Sequence, residues 1–252
     1  MRYLRVKIVA VFVLSLILYS NPSVAQPIKY EVSFPTGNGP FPAVITLHTS
    51  GGFEATKRWV ENFKSHIWTE AGYAVFAPNF FVRHGLTPRT RMDTFTVYRE
   101  KIERELSEII EIAKKDTRVD AKNIFAVGFS NGGFWASYLA GTSKVAAGAS
   151  HYGVWKGNFG REITNPYPMA YFSKKSSPVL ALHGADDGTQ KMRHVDQAWS
   201  KVRSNGATLI SLVYPGVDHA WDSKSKRFDA WNPTVTQDSL KRTMDFFRGN
   251  MR

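Results

Sequence analysis

A serine set between glycines is the strongest candidate for chemistry in this chain. Residues 128–133 read GFSNGG; they follow a predicted strand and open a predicted helix. A tight turn from a strand into a helix needs residues without a Cβ, and Gly128 and Gly132 meet that need. Such a turn exposes Ser130 at a helix N-terminus, where backbone N–H groups stabilise negative charge. The pattern predicts a nucleophilic serine, although an ordinary glycine-serine turn would have the same composition.

The serine needs a histidine, because its hydroxyl is a poor nucleophile until a base takes the proton. With this kind of turn, the acid and then the histidine follow the serine in the chain. Four histidines follow it: His151, His183, His194 and His219. His194 lies within a predicted helix and two others end predicted strands, whereas His219 lies in the loop after the last strand. We therefore predict that His219 is the base.

The acid is expected just after the predicted strand at 179–182, where the sequence HGADDG offers Asp186 and Asp187. Adjacent side chains point in different directions, so one carboxylate can pair with His219 while the other caps a turn or forms a salt link. We predict Asp187 as the partner and keep Asp186 as the alternative.

An oxyanion formed during attack by the serine needs two backbone N–H donors. The amide of Asn131, directly after the serine, is one candidate. The loop at 48–52, after the first core strand, is expected to supply the second from Thr49 or Ser50. Its glycines also fit a simple turn into the next helix, and both interpretations can hold together.

The elements that must position these residues alternate along the chain. Strands are predicted at 43–47, 73–77, 124–127, 145–151, 179–182 and 207–214, and helices at 55–71, 97–115, 131–141, 191–205 and 233–248. Strands that are apolar on both faces and followed by helices indicate an α/β fold with a mostly parallel sheet covered on both sides. Right-handed crossovers bring the carboxyl ends of the strands to one edge, where ligands bind.

The first 25 residues have the pattern of a secretory signal peptide. Three cations, Arg2, Arg5 and Lys7, precede an apolar run, and Ser23-Val24-Ala25 suits cleavage before Gln26. The run has about 12 residues, fewer than the roughly 20 of a membrane-spanning helix, so a stable membrane anchor is the less favoured alternative. We predict export, to a periplasm or out of the cell, and a single domain at 26–252.

Composition argues against several classes of function. The formal net charge is +12, but the basic residues are scattered, so nucleic-acid binding is not expected. The sequence has no cysteine, no HExxH, no GxxxxGK and no GxGxxG. We therefore expect no metal and no cofactor. The serine chemistry above predicts a small-molecule ester or lactone as the substrate.

The ordered set of motifs resembles the dienelactone hydrolases, also called carboxymethylenebutenolidase-like proteins. The resemblance depends on residues 43–45 with the His48 loop, 72–74 before Pro78, 128–133, 151–154, 184–187, and 214–216 before His219. It implies an α/β-hydrolase fold and hydrolysis of an ester or lactone through an acyl-enzyme. It also implies Ser130, Asp187 and His219 as the catalytic triad.

The chain departs from the founding members of that family, which have a cysteine where Ser130 stands. Those members bind the carboxylate of the lactone with two arginines; Arg83 matches the first, and the second falls near Ser223. A glutamate of the first loop is replaced by about Thr49. Ordinary esters or lactones are therefore expected as substrates, rather than dienelactone itself.

Four residues are candidates for contacting the substrate: Arg83 through a carboxylate, and Phe81, Tyr152 and Trp155 as the lining of an apolar pocket. Arg83 fits an ordinary surface arginine nearly as well. Two alternatives to an ester hydrolase remain: an exported hydrolase of polyesters or peptides, and an inactive binding protein with the same fold.

Overall fold

The computed structural model describes residues 26–156, 169–225 and 230–252, which form an α/β fold around one seven-stranded sheet. In chain order the strands are β1 (Tyr30–Ser33), β2 (Phe41–Leu47), β3 (Ala74–Pro78), β4 (Val119–Phe129), β5 (Gly148–His151), β6 (Val179–Gly184) and β7 (Leu209–Tyr214). Their order in the sheet is β1-β3-β2-β4-β5-β6-β7, and only β1 runs antiparallel to its neighbour. The predicted mostly parallel sheet is confirmed.

Helices cover both faces of the sheet. They are α1 (Phe53–Trp59), α2 (Ser65–Glu70), α3 (Arg99–Lys115), α4 (Asn131–Gly141), α5 (Met192–Ser204) and α6 (Pro233–Arg248). On one face α3, α4 and α5 share a core with Ile45 and Leu47 of β2, and on the other α1, α2 and α6 share a core with Val44. Alternate residues of one strand thus enter two different cores, which explains why β2 reads as an unbroken apolar run.

The single helix predicted at 55–71 is wrong. The chain forms α1, a 3₁₀ turn at Glu61–Phe63 and then α2, because Val60 adopts an extended conformation with φ −90° and ψ 112°. Val60 forms an isolated β-bridge with Ser223, and the Glu61 amide donates to the carbonyl of Asp222. The interruption lets this segment hydrogen-bond to the loop that follows His219.

Two further differences concern the ends of the sheet and of the chain. The edge strand β1 was not predicted, because its residues are mostly exposed and form no apolar run. The predicted signal peptide at 1–25 lies outside the described residues. Within the described part of the chain, no helix combines the length and apolar character needed to cross a bilayer.

Candidate active site

Ser130 occupies a strained turn between β4 and α4. Its φ of 53° and ψ of −108° lie outside the usual regions for a residue with a side chain. Such a conformation costs about 1–3 kcal/mol and persists only where the surrounding structure imposes it. The neighbouring strand β5 helps to hold it, since the Ser130 amide donates to the carbonyl of His151 at 3.1 Å. The Ser130 carbonyl in turn accepts from the amide of Val154 at 3.1 Å.

The glycines on either side of Ser130 are required by contact between backbones. A Cβ at Gly128 would lie 1.9 Å from the carbonyl oxygen of Gly132, and a Cβ at Gly132 would lie 2.1 Å from that of Leu47. Both distances are far below any van der Waals contact. The second contact shows that the start of α4 presses directly on the end of β2.

His219 reaches Ser130 from the loop after β7. Its Nε2 lies 2.9 Å from the Ser130 hydroxyl oxygen, and its Nδ1 lies 2.8 Å from Oδ2 of Asp187. A carboxylate only accepts hydrogen bonds, so Nδ1 carries the hydrogen and Nε2 is left to accept from the hydroxyl. The loop itself is held by Asp218, whose Oδ1 accepts from the amides of His219 and Gly188.

Asp187 is a buried carboxylate with a nearly complete set of donors. Its Oδ1 accepts from the amides of Thr189 at 2.8 Å and Gln190 at 2.7 Å, while Oδ2 accepts from His219. Burial alone would raise the pKa of Asp187, but these hydrogen bonds and the charge of His219 outweigh it and lower the pKa. The alternative acid, Asp186, is exposed.

A second histidine contacts the same carboxylate. The Nε2 of His183 donates to the carbonyl of Gln190 at 2.7 Å and lies 3.3 Å from Oδ2 of Asp187. Burial lowers the pKa of His183, so the ring is neutral at ordinary pH. Its position four residues before Asp187 was the available signal, but the sequence pattern placed His183 only at the end of a predicted strand.

Of the two amides predicted as the second oxyanion donor, Thr49 and Ser50, only one already has a hydrogen-bond acceptor within the part of the protein that the structure describes. The amide of Thr49 donates to the hydroxyl of Thr56 at 3.0 Å and is therefore occupied. Neither the Ser50 amide nor the Asn131 amide has a partner among the described residues. The side chain of Asn131 points away from this role, since its Nδ2 donates to Thr94 Oγ1 at 3.1 Å.

Tyr152 and Trp155, predicted to line an apolar pocket, pack behind the site instead. The Tyr152 ring is fully buried, contacts the His219 ring edge-on at 4.9 Å, and its hydroxyl donates to Asp222 at 2.5 Å. The Trp155 ring, 1% exposed, packs edge-on against Trp199. An aromatic ring at the end of a parallel strand can be covered on both faces by the flanking helices and loops, or it can line a pocket. The sequence pattern is the same in both cases.

The remaining predicted contacts lie on the segment after β3. Phe81 is buried and packs edge-on against His48 at 4.6 Å. Arg83 forms an ion pair with Glu108 of α3, with Nη1 2.5 Å from Oε2. The guanidinium is thus already paired, and in the described part of the chain Arg83 forms no hydrogen bond or ion pair with Ser130, His219 or Asp187.

Buried acids and histidines elsewhere form no obvious metal centre. In the described ranges, no group of three or more histidine, cysteine, aspartate or glutamate side chains is arranged to hold an ion. The groups that surround Ser130 are hydrogen-bonding side chains and backbone amides, which suit acid–base and nucleophilic chemistry.

Comparison with known proteins identifies the family. The model of the dienelactone hydrolase family matches residues 30–251. A "Putative carboxymethylenebutenolidase" of Methylorubrum extorquens is 26% identical, with 86% of this chain and 75% of that protein covered. Dipeptidyl-peptidase 5 of Porphyromonas gingivalis is 25% identical over 72% of this chain but only 31% of its own length.

The fold agrees with a solved structure. A dienelactone hydrolase-like promiscuous phosphotriesterase from metagenomic libraries superposes with a TM-score of 0.69 at 18% identity, with 89% of this chain and 93% of the other covered. The predicted resemblance is confirmed by the family match over nearly all of the described chain. This protein belongs to the dienelactone hydrolase family, and with it to the carboxylic ester hydrolases.

Proposed function

We propose that this protein cleaves carboxylic esters or lactones through an acyl-enzyme formed on Ser130. One observation carries the proposal: an unbroken hydrogen-bonded line from the Ser130 hydroxyl through His219 to Asp187, with distances of 2.9 and 2.8 Å. In this arrangement His219 Nε2 takes the hydroxyl proton as Ser130 Oγ attacks the carbonyl carbon. Asp187 stabilises the imidazolium that forms.

The oxyanion of the tetrahedral intermediate would be bound by the amides of Asn131 and Ser50. Both donors are free of other partners in the described structure, and one lies at the N-terminus of α4, where the helix dipole favours negative charge. His219 then returns its proton to the leaving alcohol. Water, deprotonated by the same imidazole, attacks the acyl-enzyme and releases the acid.

The substrate carbonyl need not belong to a charged molecule. Arg83 was predicted to bind a carboxylate, but its charge is balanced by Glu108. The second position, Ser223, carries no charge and is buried in the bridge to Val60. We therefore infer a preference for uncharged esters or lactones over substrates that bear a free carboxylate.

A panel of p-nitrophenyl esters of increasing acyl length, compared between wild type and Ser130→Ala, tests the proposal. We expect the variant to lose at least about a thousandfold in kcat, as other enzymes do when the nucleophile is removed. Ser204→Ala, an exposed serine on α5, is the matched control and should behave as wild type. A fluorophosphonate adduct on Ser130 is expected, and its absence together with an active Ser130→Ala would contradict the mechanism.

Peptide hydrolysis is the second candidate, because the chain is similar to part of dipeptidyl-peptidase 5. The same acyl-transfer groups serve amides, whose poorer leaving group demands protonation by the histidine. Dipeptide p-nitroanilides in the same panel distinguish the two. Turnover of these amides exceeding that of the esters would favour the peptidase, and no turnover of either, with no adduct, would favour an inactive binding protein.

Export by residues 1–25 is also proposed, on the charge and apolar pattern of that segment. N-terminal sequencing of the protein purified from the cell envelope or medium should begin at Gln26. Retention of Arg2 to Ala25 on a cytoplasmic protein would contradict it.

A further inference from the structure

In the loop at 48–52, the backbone N–H and C=O groups next to the Ser50 amide form hydrogen bonds within the loop or with α1. The Thr49 amide donates to Thr56 Oγ1 at 3.0 Å, and the Gly51 amide donates to Thr49 Oγ1 at 3.1 Å. The Thr49 carbonyl accepts from the Gly52 amide at 3.1 Å and also from the Nδ1 of His48 at 2.9 Å. The Ser50 amide is the donor that this network leaves over among the described residues.

The His48 contact controls the direction of that donor. The Thr49 carbonyl and the Ser50 N–H belong to one planar peptide unit and point in opposite directions. Whatever holds the carbonyl therefore also aims the N–H. A carbonyl only accepts, so the Nδ1 of His48 carries the hydrogen. Donation to this carbonyl also polarises the peptide and strengthens the N–H as a donor.

His48 occupies a site that would suit an apolar ring. It is fully buried at the end of β2, stacks on Phe80 at 3.8 Å with an interplanar angle of 9°, and meets Phe53 and Phe81 edge-on. Burial lowers the pKa of His48 to about 3, so the imidazole is neutral. Its Nε2 has no hydrogen-bond partner in the described structure.

A buried acceptor without a donor lowers stability, and phenylalanine or leucine would avoid that cost. Packing therefore does not account for a histidine in this position. What His48 supplies, and an apolar ring would not, is the hydrogen bond from Nδ1 to the Thr49 carbonyl. That hydrogen bond is made to the same peptide unit that carries the proposed oxyanion donor, the Ser50 N–H.

We propose that His48 is a positioning residue that orients the Thr49–Ser50 peptide toward the oxyanion formed at Ser130. The inference rests on the proposed ester hydrolysis and adds the part that holds one of its two donors. His48 touches neither substrate nor nucleophile in this role. Because burial lowers the pKa of His48 to about 3, its ring stays neutral at ordinary pH, which fits a positioning role.

Two substitutions separate the hydrogen bond from the ring. His48→Phe keeps the stack on Phe80 but removes the donor, and His48→Asn loses the stack but can place an amide N–H near the Nδ1 position. We expect His48→Phe to lower kcat for p-nitrophenyl esters by about 10- to 100-fold with KM nearly unchanged. This is less than the roughly 100- to 1000-fold for outright loss of one oxyanion donor, because the Ser50 N–H remains and only its orientation is lost. His48→Asn should recover a large part of that loss.

Measuring the melting temperature together with kcat distinguishes a positioning role of His48 from a merely structural one. His48→Phe replaces an unpartnered buried acceptor with carbon, so its melting temperature should equal or exceed that of wild type while kcat falls. Affinity for a trifluoromethyl ketone, whose tetrahedral adduct presents an oxyanion, should weaken by the same factor as kcat/KM. The pH profile of kcat/KM should keep its shape.

The outcomes distinguish this inference from the proposed function. If wild type is active, Ser130→Ala inactive, and His48→Phe turns over like wild type with unchanged ketone affinity, the role of His48 is refuted and the mechanism stands. If His48→Phe loses activity only in proportion to lost folded protein, the role is again refuted. If Ser130→Ala hydrolyses the esters as wild type does, the proposed function itself fails.

Discussion

The contact between Gly132 and β2 offers the sharpest test of how the fold builds the site. Replacing Gly132 with alanine would place a Cβ 2.1 Å from the carbonyl oxygen of Leu47 and 2.8 Å from that of His48. These are backbone atoms at the end of a central strand and just beyond it, and they cannot rotate away as the end of a flexible side chain can. The start of α4 and the end of β2 must therefore move apart.

The size of that movement follows from the distances. Ordinary contact for a Cβ begins at 3.4 Å, so relief requires a separation of roughly 1 Å between α4 and β2 in a tightly packed interior. The two proposed oxyanion donors, Asn131 and Ser50, lie on opposite sides of this contact. Widening the gap by about 1 Å misplaces one of them, which is expected to cost on the order of 100-fold in kcat.

Stability should fall as well. Added methyl groups in a well-packed interior typically cost about 1–3 kcal/mol, and a clash with backbone belongs at the upper end of that range. For a chain of this size each kcal/mol corresponds to about 2–4 °C in melting temperature. We expect Gly132→Ala to melt several degrees below wild type while remaining folded at 25 °C.

Gly141→Ala is the matched control, at the other end of α4. A Cβ there would lie 3.4 Å from the Tyr171 Cβ and 3.5 Å from the Phe172 ring, which are close to ordinary contacts. Alanine also favours the helical conformation by up to about 1 kcal/mol over glycine. Stability should be unchanged or slightly raised, with wild-type turnover.

The assay is thermal unfolding by circular dichroism together with kcat and KM for p-nitrophenyl butyrate. If Gly132→Ala retained kcat/KM within about threefold of wild type, the close approach would not set the geometry of the donors. If Gly141→Ala lost as much activity as Gly132→Ala, any added methyl on α4 would suffice, and the reasoning from the Leu47 contact would be refuted.

Three more predictions concern charged groups. Asp187→Asn should lower kcat by about 10⁴-fold, whereas exposed Asp186→Asn should leave it unchanged; equal losses would reassign the acid. Burial raises the pKa of Asp222 to about 7, so the folded protein retains a proton that the unfolded chain releases above about pH 4, and stability falls as pH rises between pH 4 and 7. Asp222→Asn should therefore raise the melting temperature at pH 8 and change it little at pH 4; a uniform shift would contradict the assigned pKa. Because Glu108 pairs with Arg83, Arg83→Ala should change kcat/KM equally for uncharged and carboxylate-bearing esters, and a selective loss on the latter would restore its predicted role.

The elements predicted most accurately are those whose ends are marked by capping residues in the local sequence. The predicted bounds of α6, 233–248, match the structure, because Pro233 follows Asn232, whose side chain accepts from the Val235 amide as an N-cap. The core of β2 was predicted from residues buried on both faces. The helix at 55–71 failed because its break at Val60 depends on pairing with Ser223, far away in the chain.

In the site, too, some features could be predicted from the sequence and others depend on contacts between distant parts of the chain. Proximity of Ser130, His219 and Asp187 could be predicted, because parallel strands bring their carboxyl ends together whatever the loops do. Orientation could not be predicted. Tyr152 follows β5 as predicted, but its φ of 38° and its hydrogen bond to Asp222 turn the ring behind His219.

Three buried polar side chains surround the hydrogen-bonded line from Ser130 through His219 to Asp187. Sequence patterns assign no function to any of them. His48 holds the peptide beside Ser50, His183 contacts the carboxylate of Asp187, and Asp222 anchors the ring that packs on His219. Each costs stability by its burial, and two of them retain an unpartnered nitrogen in the described structure. A core selected for stability alone would use carbon at these positions. All three lie within one contact of a residue in the proposed catalytic machinery, a position from which each can help to orient it.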